Sequence, residues 1–251
     1  MLRILMFLAI VVGAPAHACG GESACLVGDR SYRAETPQAW DGDSALPVLL
    51  HFHGWGRQGI NVLRNKRVSG PASENGMLLI APDGLGKSWS FWGENSRDVD
   101  FVDRVLADAA RRWPIDRSRV YISGFSYGGA MAWRLACQRG NAFAGYLPIA
   151  GGLWRQSDVD CAGPVRLAHV HGLNDNIYGL PIGPFDEVED GVLLWRRMNN
   201  VQEPPEVFDH DRYTCRSWEA ALTLCTHEGG HFIPKDWLGW MLPRMMRDAG
   251  S

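Results

Sequence analysis

The sequence predicts an α/β domain, a mostly parallel central sheet with helices on both faces. Three observations predict it. Short apolar runs alternate along the chain with segments of helical period, the order that builds parallel strands joined by crossing helices. Several of those runs stop at a glycine turn, as at His53-Gly54, Asp83-Gly84 and His171-Gly172. The length, 251 residues with 46% hydrophobic content, suits one such domain with a full core.

The first segment is read as a secretory signal peptide over residues 1–18. Met1-Leu-Arg3 precedes an apolar run, Gly13 and Pro15 break it, and Ala16-His-Ala18 offers a cleavage site. The run is about half as long as a membrane-spanning helix requires. A single catalytic domain is expected over 19–251, in a secreted or periplasmic protein with no membrane association after cleavage.

The remaining elements follow from periodicity. Residues 30–36 are expected as an edge strand. Residues 47–52 form a buried-type strand leading into His53-Gly54-Trp55-Gly56. One helix is expected over 60–75, a strand over 77–81 and a helix over 100–113, where Phe101, Val102, Val105, Leu106 and Ala109 share a face. A strand over 119–123 meets a helix over 127–138. Strands over 145–149 and 165–170, a helix over 187–199, a last strand over 218–225 and a closing helix over 234–248 complete the chain. The loops between them are mostly short. None is long enough for a separate cap domain, so an open site that admits a bulky or polymer-linked substrate is expected.

Composition narrows the function. The net charge is −3 and no basic cluster exceeds the one over 64–67, which argues against a nucleic-acid partner. The six cysteines, Cys19, Cys25, Cys137, Cys161, Cys215 and Cys225, are even in number, which in an exported protein favours disulfides. Fifteen pairings are open; proximity along an α/β fold favours Cys19–Cys25, Cys137–Cys161 and Cys215–Cys225. No CxxC pair occurs, against a zinc ribbon. His51 with His53, and His169 with His171, are spaced to share a strand face, but each pair overlaps a His-Gly turn and no third carboxylate has suitable spacing. No metal and no cofactor is expected.

Chemistry enters at Gly124-Phe-Ser-Tyr-Gly128. This pentad lies between a β-branched run and a helical pattern, the setting of a nucleophile elbow. The glycines let strand and helix approach, and Ser126 is left at the tip of the turn. A serine hydroxyl is a weak nucleophile at neutral pH, so it needs a base and the base needs an orienting acid. On this architecture the partners come in the order serine, acid, histidine. Asp175 follows the 165–170 strand and His231 follows the last strand, within Glu228-Gly-Gly-His-Phe232. Asp186 and Asp190 are rival acids, and His227 is a rival base without the flanking glycines. Two backbone N–H groups, of Trp55 and Tyr127, are expected to hold the oxyanion. Trp89 and Trp92, in Lys87-Ser-Trp-Ser-Phe-Trp92, are candidates for an apolar substrate wall, with Trp154 and Phe185 on further strand exits.

Taken together, Pro114-Ile-Asp-Arg-Ser-Arg-Val-Tyr121, the 124–132 elbow, Leu135-Ala-Cys137, His171-Gly-x-x-Asp175 and Gly229-Gly-His231 resemble the secreted polyhydroxybutyrate depolymerase / feruloyl esterase family of α/β-hydrolases, from about residue 30 to about 240. The resemblance implies the α/β-hydrolase fold and carboxylic ester hydrolysis by Ser126, Asp175 and His231 without a cofactor. It also supports the pairs Cys137–Cys161 and Cys215–Cys225. Tyr127 stands where the family often has a small residue, and Phe232-Ile-Pro234 stands where Trp-Pro usually follows the histidine. The expected function is therefore a secreted serine esterase forming an acyl-enzyme, on feruloyl, acetyl or hydroxyalkanoate esters. The alternatives are a serine peptidase or amidase with the same machinery, and a binding protein on a hydrolase fold, which the intact set of three residues disfavours.

Overall fold

All seven residues of the strand Leu46–Phe52 are buried, as a strand covered on both faces must be. Among the described residues it is β3 of a ten-stranded sheet that also contains β1 (Cys25–Val27), β2 (Arg30–Glu35), β4 (Leu78–Pro82), β5 (Ile115–Phe125), β6 (Gly145–Ile149), β7 (Leu167–Gly172), β8 (Glu206–His210), β9 (Tyr213–Trp218) and β10 (Leu222–His227). The computed structural model describes residues 19–91, 96–153, 161–177, 187–219 and 221–247, the side chains of 187–190 excepted.

The strand order is β1-β2-β4-β3-β5-β6-β7-β10-β9-β8. From β4 to β10 every neighbouring pair is parallel. Antiparallel strands finish each side, β2 and β1 at one edge and β9 and β8 at the other. Among the described residues six α-helices accompany the sheet: α1 (Gly59–Leu63), α2 (Lys66–Glu74), α3 (Arg97–Arg112), α4 (Tyr127–Arg139), α5 (Glu187–Met198) and α6 (Trp237–Arg247). Alternate β3 residues point to opposite faces. Val48, Leu50 and Phe52 join a core with α3, α4 and α5 residues such as Val102, Trp133 and Trp195. Leu49 joins a second core with Val62, Val68, Trp237 and Met241 from α1, α2 and α6. This is the α/β-hydrolase fold.

Four expectations change. The strand expected at the edge, β2, has β1 paired outside it. The helix expected over 60–75 is two helices. Arg64 caps α1, and Asn65, in extended conformation, accepts the Arg67 N–H and starts α2. The strand expected over 218–225 runs through a hairpin. β9 ends at Trp218, Glu219 takes φ 48°, and β10 begins at Leu222. The strand expected over 119–123 is longer and starts at Ile115. The cysteines pair as 19–25, 137–161 and 215–225, the last directly across the β9–β10 ladder.

Candidate active site

The site forms at the carboxyl ends of β3, β5, β7 and β10. β5 ends at Phe125 and α4 begins at Tyr127, so Ser126 alone makes the turn. It does so at φ 58° and ψ −119°, a conformation that residues other than glycine rarely adopt. Two backbone bonds hold it there, Ser126 N–H to Ile149 O at 2.9 Å and Ala130 N–H to Ser126 O at 2.9 Å. Every α4 residue from Gly128 to Cys137 is buried, so the helix beneath the serine is fixed by packing on all sides.

Close approach explains the glycines. A Cβ on Gly124 would sit 2.1 Å from Gly128 O, and one on Gly128 would sit 2.1 Å from Phe52 O. A Cβ on Gly129 would meet Ile149 O at 2.6 Å, and one on Gly151 would meet Ser126 O at 2.6 Å. These obstacles are backbone atoms, which no rotamer change can clear.

The second half of the site is assembled by β7 and β10. They pair in parallel with Gly172 opposite His227, which sets their exit loops side by side. Leu173 N–H donates to His227 O and Asn174 N–H to Gly229 O. A Cβ on Gly172 would lie 2.3 Å from Gly229 O, so only glycine lets the loops touch. Their contact brings His231 Nδ1 to 2.6 Å from Asp175 Oδ2. The side chain of Asp175 is fully buried and that of His231 is 11% exposed. A carboxylate only accepts, so Nδ1 carries the proton and Nε2 is left as the basic nitrogen. Asp175 Oδ1 accepts the Ile177 N–H at 2.9 Å. The buried His171 Nε2 lies 3.4 Å from Asp175 Oδ2.

A cavity of about 910 Å³ opens between these halves. Ser126 and His231 both line it, with Gly54, Trp55, Tyr127, Phe125, Ile177 and Phe232 among its other walls. The Trp55 loop is pinned from below. The Gly84 N–H donates to His53 Nε2 at 3.0 Å, so His53 Nδ1 is the protonated nitrogen and donates to Gly54 O at 2.8 Å. Burial lowers the His53 pKa and pushes that of His51 down to about 3, so both rings are neutral at pH 7.

Trp89 is not a substrate wall. It is 2% exposed, packs edge-on against Phe52, and donates Nε1–H to His53 O at 2.7 Å. It therefore supports the Trp55 loop from beneath and does not line the cavity. Trp92, Trp154, Phe185 and Asp186 lie outside the described residues, as does the side chain of Asp190. His227 accepts the Gly229 N–H through Nδ1 at 2.9 Å and does not line the cavity. The Tyr127 ring turns toward Phe91, edge-on at 5.1 Å. Two features escaped the sequence reading. The Trp55 side chain is 69% exposed at the cavity, and Arg57, Arg64 and Arg67 line it too. The basic cluster at 64–67 was visible; its position was not. Among the described residues no group of three or more His, Cys, Asp or Glu side chains is arranged to hold a metal ion.

Comparison with known proteins agrees with this architecture. No family model matches the chain. A probable feruloyl esterase C of Aspergillus niger is 26% identical over 250 residues, covering 92% of this chain and 88% of the relative. Feruloyl esterase C of Emericella nidulans is 25% identical over 240 residues, covering 88% and 85%. Among solved structures, an acetyl xylan esterase from Aspergillus awamori superposes with a TM-score of 0.70 at 13% identity, covering 88% of this chain and 94% of that one, a likeness of fold. The chain is feruloyl esterase-like in sequence over most of its length.

Proposed function

We propose that this carboxylic ester hydrolase, feruloyl esterase-like in sequence and α/β-hydrolase in fold, works through an acyl-enzyme on Ser126. The observation that carries the reading is the 2.6 Å contact between Asp175 and His231 at the wall of the cavity that Ser126 also lines. In this reading Ser126 Oγ attacks the ester carbonyl and His231 Nε2 takes its proton. The Trp55 and Tyr127 N–H groups hold the oxyanion, each donor worth about 10²–10³ in rate. The carbonyl re-forms, the ester C–O bond breaks, and His231 returns the proton to the departing alcohol. Water then attacks the acyl-enzyme by the same steps, releasing the acid and restoring the serine. Asp175 fixes the imidazole tautomer and offsets its transient positive charge.

The substrate class we infer is a feruloyl, acetyl or hydroxyalkanoate ester. The exposed indole of Trp55 offers a flat apolar face at the cavity to an aromatic acyl group. The sequence of residues 1–18 and the three disulfides support export, secreted or periplasmic. Among the described residues no helix is long and apolar enough to cross a membrane.

Purified wild type and Ser126→Ala, assayed on short p-nitrophenyl esters, test the reaction. Turnover by wild type and its loss in the variant are expected. An inert wild type would remove the activity, and an active variant would remove Ser126. A panel of feruloyl, acetyl-xylan and oligo-hydroxybutyrate esters then ranks the acyl groups.

A further inference from the structure

The cavity beside Ser126 is lopsided in charge. Three arginines line it, Arg57, Arg64 and Arg67, and no aspartate or glutamate does so among the described residues. The chain as a whole carries a net charge of −3, so this wall departs in sign from the average surface. Arg64, which caps α1, and Arg67, in the first turn of α2, both border the cavity on either side of the helix break.

The three cations differ in what already occupies them. Arg64 pairs with Glu22 at 2.6 Å, with both side chains largely exposed, a contact that contributes little. Arg67 donates one Nη1–H to Ile233 O at 2.7 Å, which holds the side chain against the loop after His231. A carbonyl is no counter-ion, so the charge of Arg67 remains. Arg57 is exposed and has no ion pair among the described residues. The neighbouring His51 and His53 are neutral, so the positive field comes from the guanidinium groups and persists through neutral pH. Val62, Val68 and Phe125 supply apolar wall to the same cavity, and low-dielectric walls focus such a field.

We propose, resting on the reading of Ser126 as the nucleophile, that the ester processed here carries a carboxylate, seated against Arg57 and Arg67 in the same cavity. A guanidinium presents a planar fork that matches a carboxylate in two parallel hydrogen bonds. The enzyme then selects acidic esters over their neutral twins, and it does so mainly through KM.

Two matched pairs of esters test this. p-Nitrophenyl hydrogen adipate against p-nitrophenyl methyl adipate places the charge on the acyl side. The butyrate esters of 4-hydroxybenzoate and of methyl 4-hydroxybenzoate place it on the alcohol side. In one pair the acidic ester is expected to have a kcat/KM about tenfold higher, the scale of one charge-assisted hydrogen bond. That preference is expected to shrink several-fold as ionic strength rises from about 0.02 M to about 0.5 M. Arg57→Gln combined with Arg67→Gln is expected to bring the ratio to one or below, the neutral twin serving as each variant's own baseline. A wild-type ratio at or below one in both pairs overturns the proposal, and so does a ratio that the double variant leaves unchanged. If wild type hydrolyses none of the esters, the proposed activity fails instead. Calorimetric binding of adipate to the Ser126→Ala protein then still decides the anion seat, which stands if Arg57→Gln weakens binding and falls if adipate does not bind.

Discussion

His169 Nε2 lies 3.0 Å from His171 Nδ1, and neither residue has any exposure to solvent. The proton positions along this contact follow from one end. The Trp133 indole can only donate, and its Nε1 is 3.2 Å from His169 Nδ1. Burial keeps His169 far below its usual pKa, so the ring is neutral and its proton is on Nε2. His171 Nδ1 must then accept, which leaves His171 Nε2 protonated and facing Asp175 Oδ2 at 3.4 Å. A helix beneath the sheet is thereby connected to the acid beside His231. His169→Leu removes the partner of both the Trp133 N–H and His171 Nδ1. Each buried group so deprived costs about 1–3 kcal/mol. Urea unfolding is expected to show that loss, partly recovered in His169→Gln, and a fully stable leucine variant would refute the arrangement.

Asp175→Asn tests the tautomer argument. Oδ1 already accepts the Ile177 N–H, so an asparagine that keeps this bond turns its NH₂ toward His231 Nδ1. That nitrogen becomes an acceptor and the proton moves to Nε2, where the base is needed. A fall in kcat of about 10⁴-fold is expected, with a melting temperature lowered because the buried His171 Nε2–H loses the Oδ2 acceptor that it faces. Steady-state assay on a p-nitrophenyl ester checks it, and a variant with a tenth of wild-type activity would assign the acid elsewhere.

Ser126 sits in a backbone conformation natural to glycine. Ser126→Gly is therefore expected to be inactive and more stable than wild type by about 1 kcal/mol. Ser126→Ala, equally inactive, keeps the Cβ and gains nothing of this kind. Thermal unfolding of the two variants side by side separates them, and equal melting temperatures would show that the turn stores no strain.

Stability toward acid is set in part by two buried histidines. His51 folds with its pKa at about 3 against an ordinary 6.5, and His169 is lowered in the same sense, burial being the cause in each. Between those values the unfolded chain takes up protons that the folded one refuses, so stability falls as pH drops. Each such group adds up to about 1.4 kcal/mol per pH unit to the decline. Unfolding free energies at pH 7, 6 and 5 should decrease in turn, with a shallower slope in His51→Gln. A slope the variant does not alter would show that His51 is not a source of the decline.

Most of the sheet was legible because β3, β4, β6 and β7 are continuous apolar runs bounded by turn residues. The β9–β10 hairpin was not, because its turn carries Glu219 at φ 48° in place of glycine or asparagine, and the apolar residues on both sides read as one strand. The break at Asn65 was hidden because the polar stretch 64–67 carries no glycine or proline to mark it. In the site, Ser126, Asp175 and His231 could be listed from motif and order, since each lies on a strand exit. Whether a side chain faces the cavity depends on loop packing that no periodicity encodes. Trp89, by sequence a candidate for the wall, lies beneath it; Trp55, expected to contribute its N–H, also exposes its ring.

Gly124, Gly128, Gly129 and Gly151 surround the serine with backbone that tolerates no added carbon. For anyone diversifying this enzyme, that divides the molecule into two zones. Around Ser126, a saturation library would return dead columns that no stabilising background revives, because the obstacle is main chain. At the arginine rim, where Trp55, Arg57, Arg64 and Arg67 are exposed, the same library meets solvent and has room to work. New substrate preferences should be sought at those exposed positions, and Gly59, where an added Cβ would lie 2.2 Å from Ala81 O, left untouched with the other four glycines.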